Sequence, residues 1–311
     1  MESHTHPATT SAPSSVPPVE PSPDPSSRRR RITVFAVTLP VLVLPAVAFA
    51  VSRGLDLDRI SQAPVAAQIA AYSQALMPAL AALIACLCTG GLRGFDWGFH
   101  RVPWRTLAGA WALPVAITAL AYGTAWLTGL AGFDPGNLQE ATGLHPILGV
   151  LLGLLPGIVP YIVLALGEQL GWSSLLATRM AETRSPDVTA VIVGLAWAAF
   201  HVPLMLFVPG AVDESVPLAY ALAVFTVNTI TLAFPLVWLR LRTRSIWPVL
   251  VLHATGNAAT YFVAEAMTAT EGRPALLLGE GGALPAISAI VVVFATRRFW
   301  RGRPGASGRS R

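Results

Sequence analysis

The chain has 311 residues, of which 54% are hydrophobic and only 12% charged, with a net charge of +5. Soluble domains carry about a quarter charged residues, so this composition excludes an ordinary soluble domain and indicates a membrane protein. The basic balance comes from arginine alone, and the arginines lie in short loops and tails between apolar runs. Membrane topology explains that distribution, and nucleic acid is not an expected partner.

Residues 1–27 are rich in Pro, Ser and Thr and hold no apolar run, which predicts a disordered tail. Arg28 to Arg31 then precede the apolar run 32–51. The run reads as a signal anchor. Ala48-Phe49-Ala50 also resembles the small-residue site of a cleavable signal peptide, but about 20 apolar residues are long for such a segment, which favours retention.

Further spans are expected at 64–88, 106–130, 147–168, 188–209, 217–239, 245–266 and 283–296, the last being short. The predicted fold is therefore an all-α polytopic bundle of about eight transmembrane helices. It occupies residues 28–303 and is followed by a basic tail at 304–311. Pro40, Pro45, Pro156, Pro160, Pro203 and Pro235 fall within spans and are expected to mark kinks. Cys86 and Cys88 lie in an apolar run and read as small buried residues rather than metal ligands or a disulfide.

With the N-terminus placed in the cytoplasm, 18 of the 21 basic residues fall on the cytoplasmic side, leaving Arg53, Arg59 and Arg273 outside. This bias predicts a multi-pass protein of the plasma membrane with both termini cytoplasmic.

Glu168, His201 and the pair His253/Asn257 interrupt otherwise apolar stretches. Ionisable groups at such depth are costly and point to function. At about 1.5 Å per residue, His201 lies about 20 Å from the cytoplasmic end of its span, Glu168 about 15 Å and His253 about 12 Å. Asn228 reaches about 18 Å and reads as a packing residue. His253 and Asn257 are four apart and share one helix face, as do Trp197 and His201. Gly171 permits close approach of another helix.

A carboxylate and a histidine in an apolar site can together take a proton from water. A histidine and an asparagine one turn apart can supply hydrogen-bond donors to a developing oxyanion. Glu168 and His201 are thus the candidate water-activating pair, and His253 and Asn257 the candidate oxyanion donors. The competing reading is that each polar residue only bonds a neighbouring helix and specifies packing.

At these residues the chain resembles the CAAX prenyl endopeptidase and bacteriocin-processing (CPBP, Abi) family. That family's pattern is Glu-Glu-x-x-x-Arg, then Phe-x-x-x-His, then His-x-x-x-Asn. The corresponding stretches here are Glu168-Gln169-Leu170-Gly171-Trp172-Ser173, Trp197-Ala198-Ala199-Phe200-His201 and His253-Ala254-Thr255-Gly256-Asn257. Arg244-Ser245-Ile246-Trp247-Pro248 also looks like the family, and the match runs over about 147–262.

The resemblance implies an intramembrane endopeptidase that cuts a peptide or membrane-protein substrate near the cytoplasmic face of the lipid bilayer, with the roles assigned above. Members are commonly labelled metalloproteases. Glu168, His201 and His253 would form a carboxylate–imidazole zinc set. That set leaves no separate base and lacks a His-Glu-x-x-His motif, so a metal-free mechanism without cofactor is favoured, with zinc as the alternative.

The chain departs from the pattern at Gln169, Ser173 and Trp197. The first two changes remove an acid and a base together, so neither charge is stranded. Arg179 does not occupy the motif position. The alternatives are a catalytically weak or inactive family member acting as an immunity or scaffold protein, and a transporter. The transporter reading is disfavoured because the two halves of the chain show no repeat.

Overall fold

The computed structural model describes residues 25–302 apart from 94, 270, 271 and 273. The expectations for residues 1–24 and for the tail 304–311 lie outside the described residues. Residues 25–27, expected in the disordered tail, instead open the first helix.

In chain order the helices are α1 (Pro25–Ser52), α2 (Val65–Ser73), α3 (Met77–Cys88), α4 (Trp104–Leu127), α5 (Pro135–Thr142), α6 (Pro146–Leu154), α7 (Ile158–Gln169), α8 (Thr178–Ala181), α9 (Pro186–Phe207), α10 (Leu218–Thr243), α11 (Trp247–Asn257), α12 (Ala283–Ala295) and α13 (Arg297–Arg301). Wider π-type turns join α7 to α8 over Leu170–Ala177 and extend α11 over Ala258–Ala264. Among the described residues the only extended pairing is one isolated bridge, Phe133 to Thr268.

Six helical stretches are long and apolar enough to cross a membrane: Pro25–Ser52, Val65–Cys88, Trp104–Leu127, Pro146–Ala181, Pro186–Phe207 and Leu218–Thr243. The chain is a polytopic helical membrane protein. The expected count of eight is not reached on these criteria. α11 with its π extension carries His253, Thr255 and Asn257 and is not among the six, and α12 is only 13 residues long.

The fourth span also differs from expectation. The apolar run predicts 147–168, yet helical structure continues to Ala181, giving 36 residues with a break at Leu155–Gly157. Pro156 sits in that break instead of kinking a continuous helix.

The bundle follows from which faces are apolar on both sides. In α1, Phe35, Leu39, Val43 and Val47 recur every four residues and are buried, while Val37, Val41 and Leu44 are exposed. That outward apolar face suits contact with lipid. Outward Ile147, Leu148, Val159 and Val163 do the same for α6 and α7. Cys86 is buried, but Cys88 is exposed on the apolar outer surface, contrary to expectation.

α9 packs along α10, α11 lies against α4 and α7, and α1 lies against α3. Two glycines stand at close crossings. A Cβ on Gly171 would lie 2.6 Å from Pro78 Cβ and 2.8 Å from the Pro78 carbonyl oxygen; one on Gly194 would lie 2.4 Å from Ile230 Cα. Only the absence of a side chain lets these backbones approach so closely.

Candidate active site

Glu168 and Gln169 close α7, immediately before the first π segment; Asn257 closes α11, immediately before the second. Such wide turns occur often at functional sites, because the extra residue rotates neighbouring side chains off the regular helical register. α9 supplies Trp197 and His201. Its start is fixed by Ser185, whose hydroxyl accepts the Val188 N–H, with Pro186 in the first turn and Asp187 behind it.

Trp197 is the hub. Its indole Nε1–H donates to Glu168 Oε2 at 2.7 Å. Its ring lies 5.1 Å from that of His253 and 6.4 Å from that of His201. One side chain of α9 therefore meets Glu168 of α7, His253 of α11 and its own histidine. Glu168 and His253 are buried, while His201 and Asn257 are partly accessible.

His201 is held on three sides. Its Nδ1 lies 3.0 Å from the Trp197 carbonyl oxygen. A carbonyl can only accept, so Nδ1 carries a proton, and in the neutral ring Nε2 is the nitrogen with the lone pair. Phe200 and Phe225 flank the ring with centroids 4.9 and 5.0 Å away. This clamp fixes which nitrogen of His201 is available as a proton acceptor.

His253 is held differently. Gln169 Nε2 lies 3.0 Å from His253 Nδ1, and Ser173 Oγ lies 2.6 Å from Gln169 Oε1. Gln169 and Ser173 occupy the positions where the resembled pattern has Glu and Arg. They form a buried neutral chain ending on the histidine. Arg179 is engaged elsewhere, donating to Glu182 Oε1 at 2.6 Å and stacking over Phe95.

The start of α11 is tied to the loop before α4. Ile246 N–H donates to Gly98 O at 2.7 Å, and Ser245 Oγ donates to His100 O at 2.6 Å. Arg240 donates to Asp96 O at 2.9 Å, and its guanidinium lies against Gly98, where a Cβ would come within 2.8 Å of Cζ. Gly98 has φ +87°, a conformation that glycine adopts without steric cost. Partial burial alone would push the Asp96 carboxyl up, but the Gly98 N–H, His100 and Arg240 outweigh it and hold it below the usual carboxylate range. The Arg244-to-Pro248 stretch noted in the sequence is thus where the loop clamps α11.

Among the described residues, no group of three or more His, Cys, Asp or Glu is placed to hold a metal ion. Asn228, expected in the same layer, is half-buried on α10, and no hydrogen bond joins it to this cluster among the described residues. The sequence marks Gln169 and Ser173 as departures from a pattern and places Trp197 on one face with His201, but it carries no sign of their bonds to His253 and Glu168. The four-residue spacing from Trp197 to His201 was the one available signal of the hub.

No curated protein matches the chain. Residues 149–259, which include Glu168, His201, His253 and Asn257, match the model of the family described as type II CAAX prenyl endopeptidase Rce1-like.

Proposed function

We propose that the protein is an intramembrane endopeptidase that hydrolyses a peptide bond near the cytoplasmic face of the plasma membrane, its two termini lying in the cytoplasm. The observation that carries this reading is the contact of Trp197 with Glu168 and with both histidines, which draws α7, α9 and α11 to one place.

In this mechanism His201 Nε2 accepts a proton from water, with Glu168 as its acidic partner, and the water oxygen attacks the carbonyl carbon of the scissile bond. His253 and Asn257 donate hydrogen bonds to the oxygen as it becomes negative. Collapse of the tetrahedral intermediate breaks the C–N bond, and the proton taken from water passes to the leaving amine. Gln169 and Ser173 favour a second reading, a weakly active or inactive family member serving as an immunity or scaffold protein.

Cleavage of a peptide library by the purified protein, compared with Glu168→Ala and His201→Ala, tests the proposal. Loss in both variants is expected, and retained cleavage in both would sink the mechanism. Equal performance of the variants and wild type in cells would favour the scaffold reading. Reporter fusions at each terminus test the orientation.

A further inference from the structure

We infer that Gln169, held by Ser173, is a positioning residue that fixes the tautomer of His253, so that His253 presents an Nε2–H to the reacting oxygen. The inference rests on the endopeptidase reading above and deepens it.

The two ends of the Gln169 amide have different partners. Ser173 Oγ lies 2.6 Å from Oε1, and His253 Nδ1 lies 3.0 Å from Nε2. Gln169 is 1% exposed, Ser173 0% and His253 7%, so water is not at hand to replace either bond. In this orientation the serine hydroxyl donates to the amide oxygen. The amide NH2 then donates to Nδ1, which must be the unprotonated nitrogen of a neutral ring. The ring proton is therefore on Nε2.

Reversing the amide would make Nδ1 the donor and require Ser173 Oγ to accept. The Ser173 hydroxyl proton would then lose the amide oxygen it donates to across 2.6 Å, its one hydrogen-bond partner shown among the described residues. A buried donor without a partner is disfavoured, so Ser173 decides which way Gln169 faces.

This arrangement makes the two histidines opposites. The Trp197 carbonyl leaves His201 with a lone pair on Nε2, suited to taking a proton. The Gln169 amide leaves His253 with a proton on Nε2, suited to donating a hydrogen bond to an oxyanion. A carboxylate at position 169 can only accept and would hold a proton on Nδ1, so Nε2 would keep its own proton only in a doubly protonated ring.

The test is nitrogen NMR of the full-length protein, labelled with 15N-histidine and reconstituted in lipid bilayers. The His253 signals are assigned by their loss in His253→Gln. An unprotonated Nδ1 with a protonated Nε2 is expected in the wild type. A protonated Nδ1, alone or in a doubly protonated ring, would overturn the inference, whether or not the protein cleaves peptides.

Gln169→Glu should place a proton on His253 Nδ1 in the same spectrum, and an unchanged, unprotonated Nδ1 in that variant would overturn the role of Gln169. Should that variant not fold, Ser173→Ala provides a second reading: both tautomers should appear in its spectrum and kcat should fall several-fold. A wild-type-like spectrum from Ser173→Ala would overturn the role of Ser173. The expected tautomer together with full cleavage by Glu168→Ala and His201→Ala would instead mark failure of the endopeptidase mechanism, so the two failures are distinguishable.

Discussion

The indole N–H of Trp197 reaches Glu168 Oε2 across 2.7 Å, binding the residue one turn before His201 to the carboxylate of a neighbouring helix. A phenylalanine at this position fills similar space but has no donor. Trp197→Phe therefore leaves one oxygen of a buried carboxylate without its partner. The variant should fold with stability lowered by about 1–3 kcal/mol, the cost of a lost bond to a buried polar group. Cleavage should fall by up to about 100-fold, because Glu168 is no longer held in place. Thermal unfolding in detergent, run beside the peptide assay, separates the two effects.

His253 and Asn257 share a face of α11, and the proposed reaction gives them one task. Each alanine substitution should lower kcat by about 100- to 1,000-fold with little change in KM, since the interaction forms mainly in the transition state. The double variant should lose less than the product of the two single losses, as expected for groups acting as a unit. A large rise in KM at constant kcat would instead assign them to substrate binding.

The fold and the site were legible in the sequence to different depths. Long apolar runs gave α1, α2–α3, α4, α9 and α10 within a few residues, because a helix facing lipid has to be apolar over its whole length. The apolar run of the fourth span ends at 168, where Gln169, Ser173, Ser174 and Thr178 interrupt it, although the helix continues. They are internally bonded instead: Ser173 to Gln169, Ser174 to the Trp97 carbonyl, and Thr178 back to Ser174 O. Hydropathy counts polar side chains and cannot see that their partners are already inside. Depth arithmetic put Asn228 in the same layer as His201 but carries no information about direction around the helix. The Trp197 donor was invisible for a related reason: a pattern that asks for an aromatic records the ring and ignores the N–H.

Gly171 sits three residues past Glu168, and a Cβ there would meet Pro78 at 2.6 Å, with the Pro78 carbonyl oxygen at 2.8 Å. Backbone cannot swing aside as a side chain can. Gly171→Ala should therefore push α3 away from the π segment at a cost of about 1–3 kcal/mol. Activity should fall more than stability, because Glu168 and Gln169 ride on the displaced turn. Ala at Gly123, where no atom lies within 4 Å of the added Cβ, is the control and should leave both unchanged.

Metal removal gives a separate expectation. The Nδ1 atoms of both histidines already face hydrogen-bond partners, and Glu168 Oε2 accepts from Trp197. With no three-ligand group among the described residues, prolonged treatment with a chelator should leave cleavage unchanged. Loss of activity on chelation, restored by added zinc and accompanied by one bound metal per chain, would contradict the mechanism proposed for Glu168 and His201.

The loop before α4 makes the response to acid specific. Asp96 accepts from the Gly98 N–H and lies 2.9 Å from His100 Nε2, and together with Arg240 these hold its carboxyl below the ordinary range despite partial burial. A depressed folded-state value means that the ionised form stabilises the fold. That contribution is fully present above the unfolded-state value and is lost as pH falls through the lower folded-state value. The side chain is 37% exposed, so solvent screens the effect and it should be modest. Because Gly98 and His100 also receive the Ile246 and Ser245 bonds, protonation should loosen the start of α11, which carries His253. Unfolding temperature measured from neutral pH down past the ordinary carboxylate range should fall more steeply in the wild type than in Asp96→Asn. The difference between them should be greatest near neutrality and shrink as the acid form takes over. Parallel curves would show that the Asp96 charge does not hold this loop.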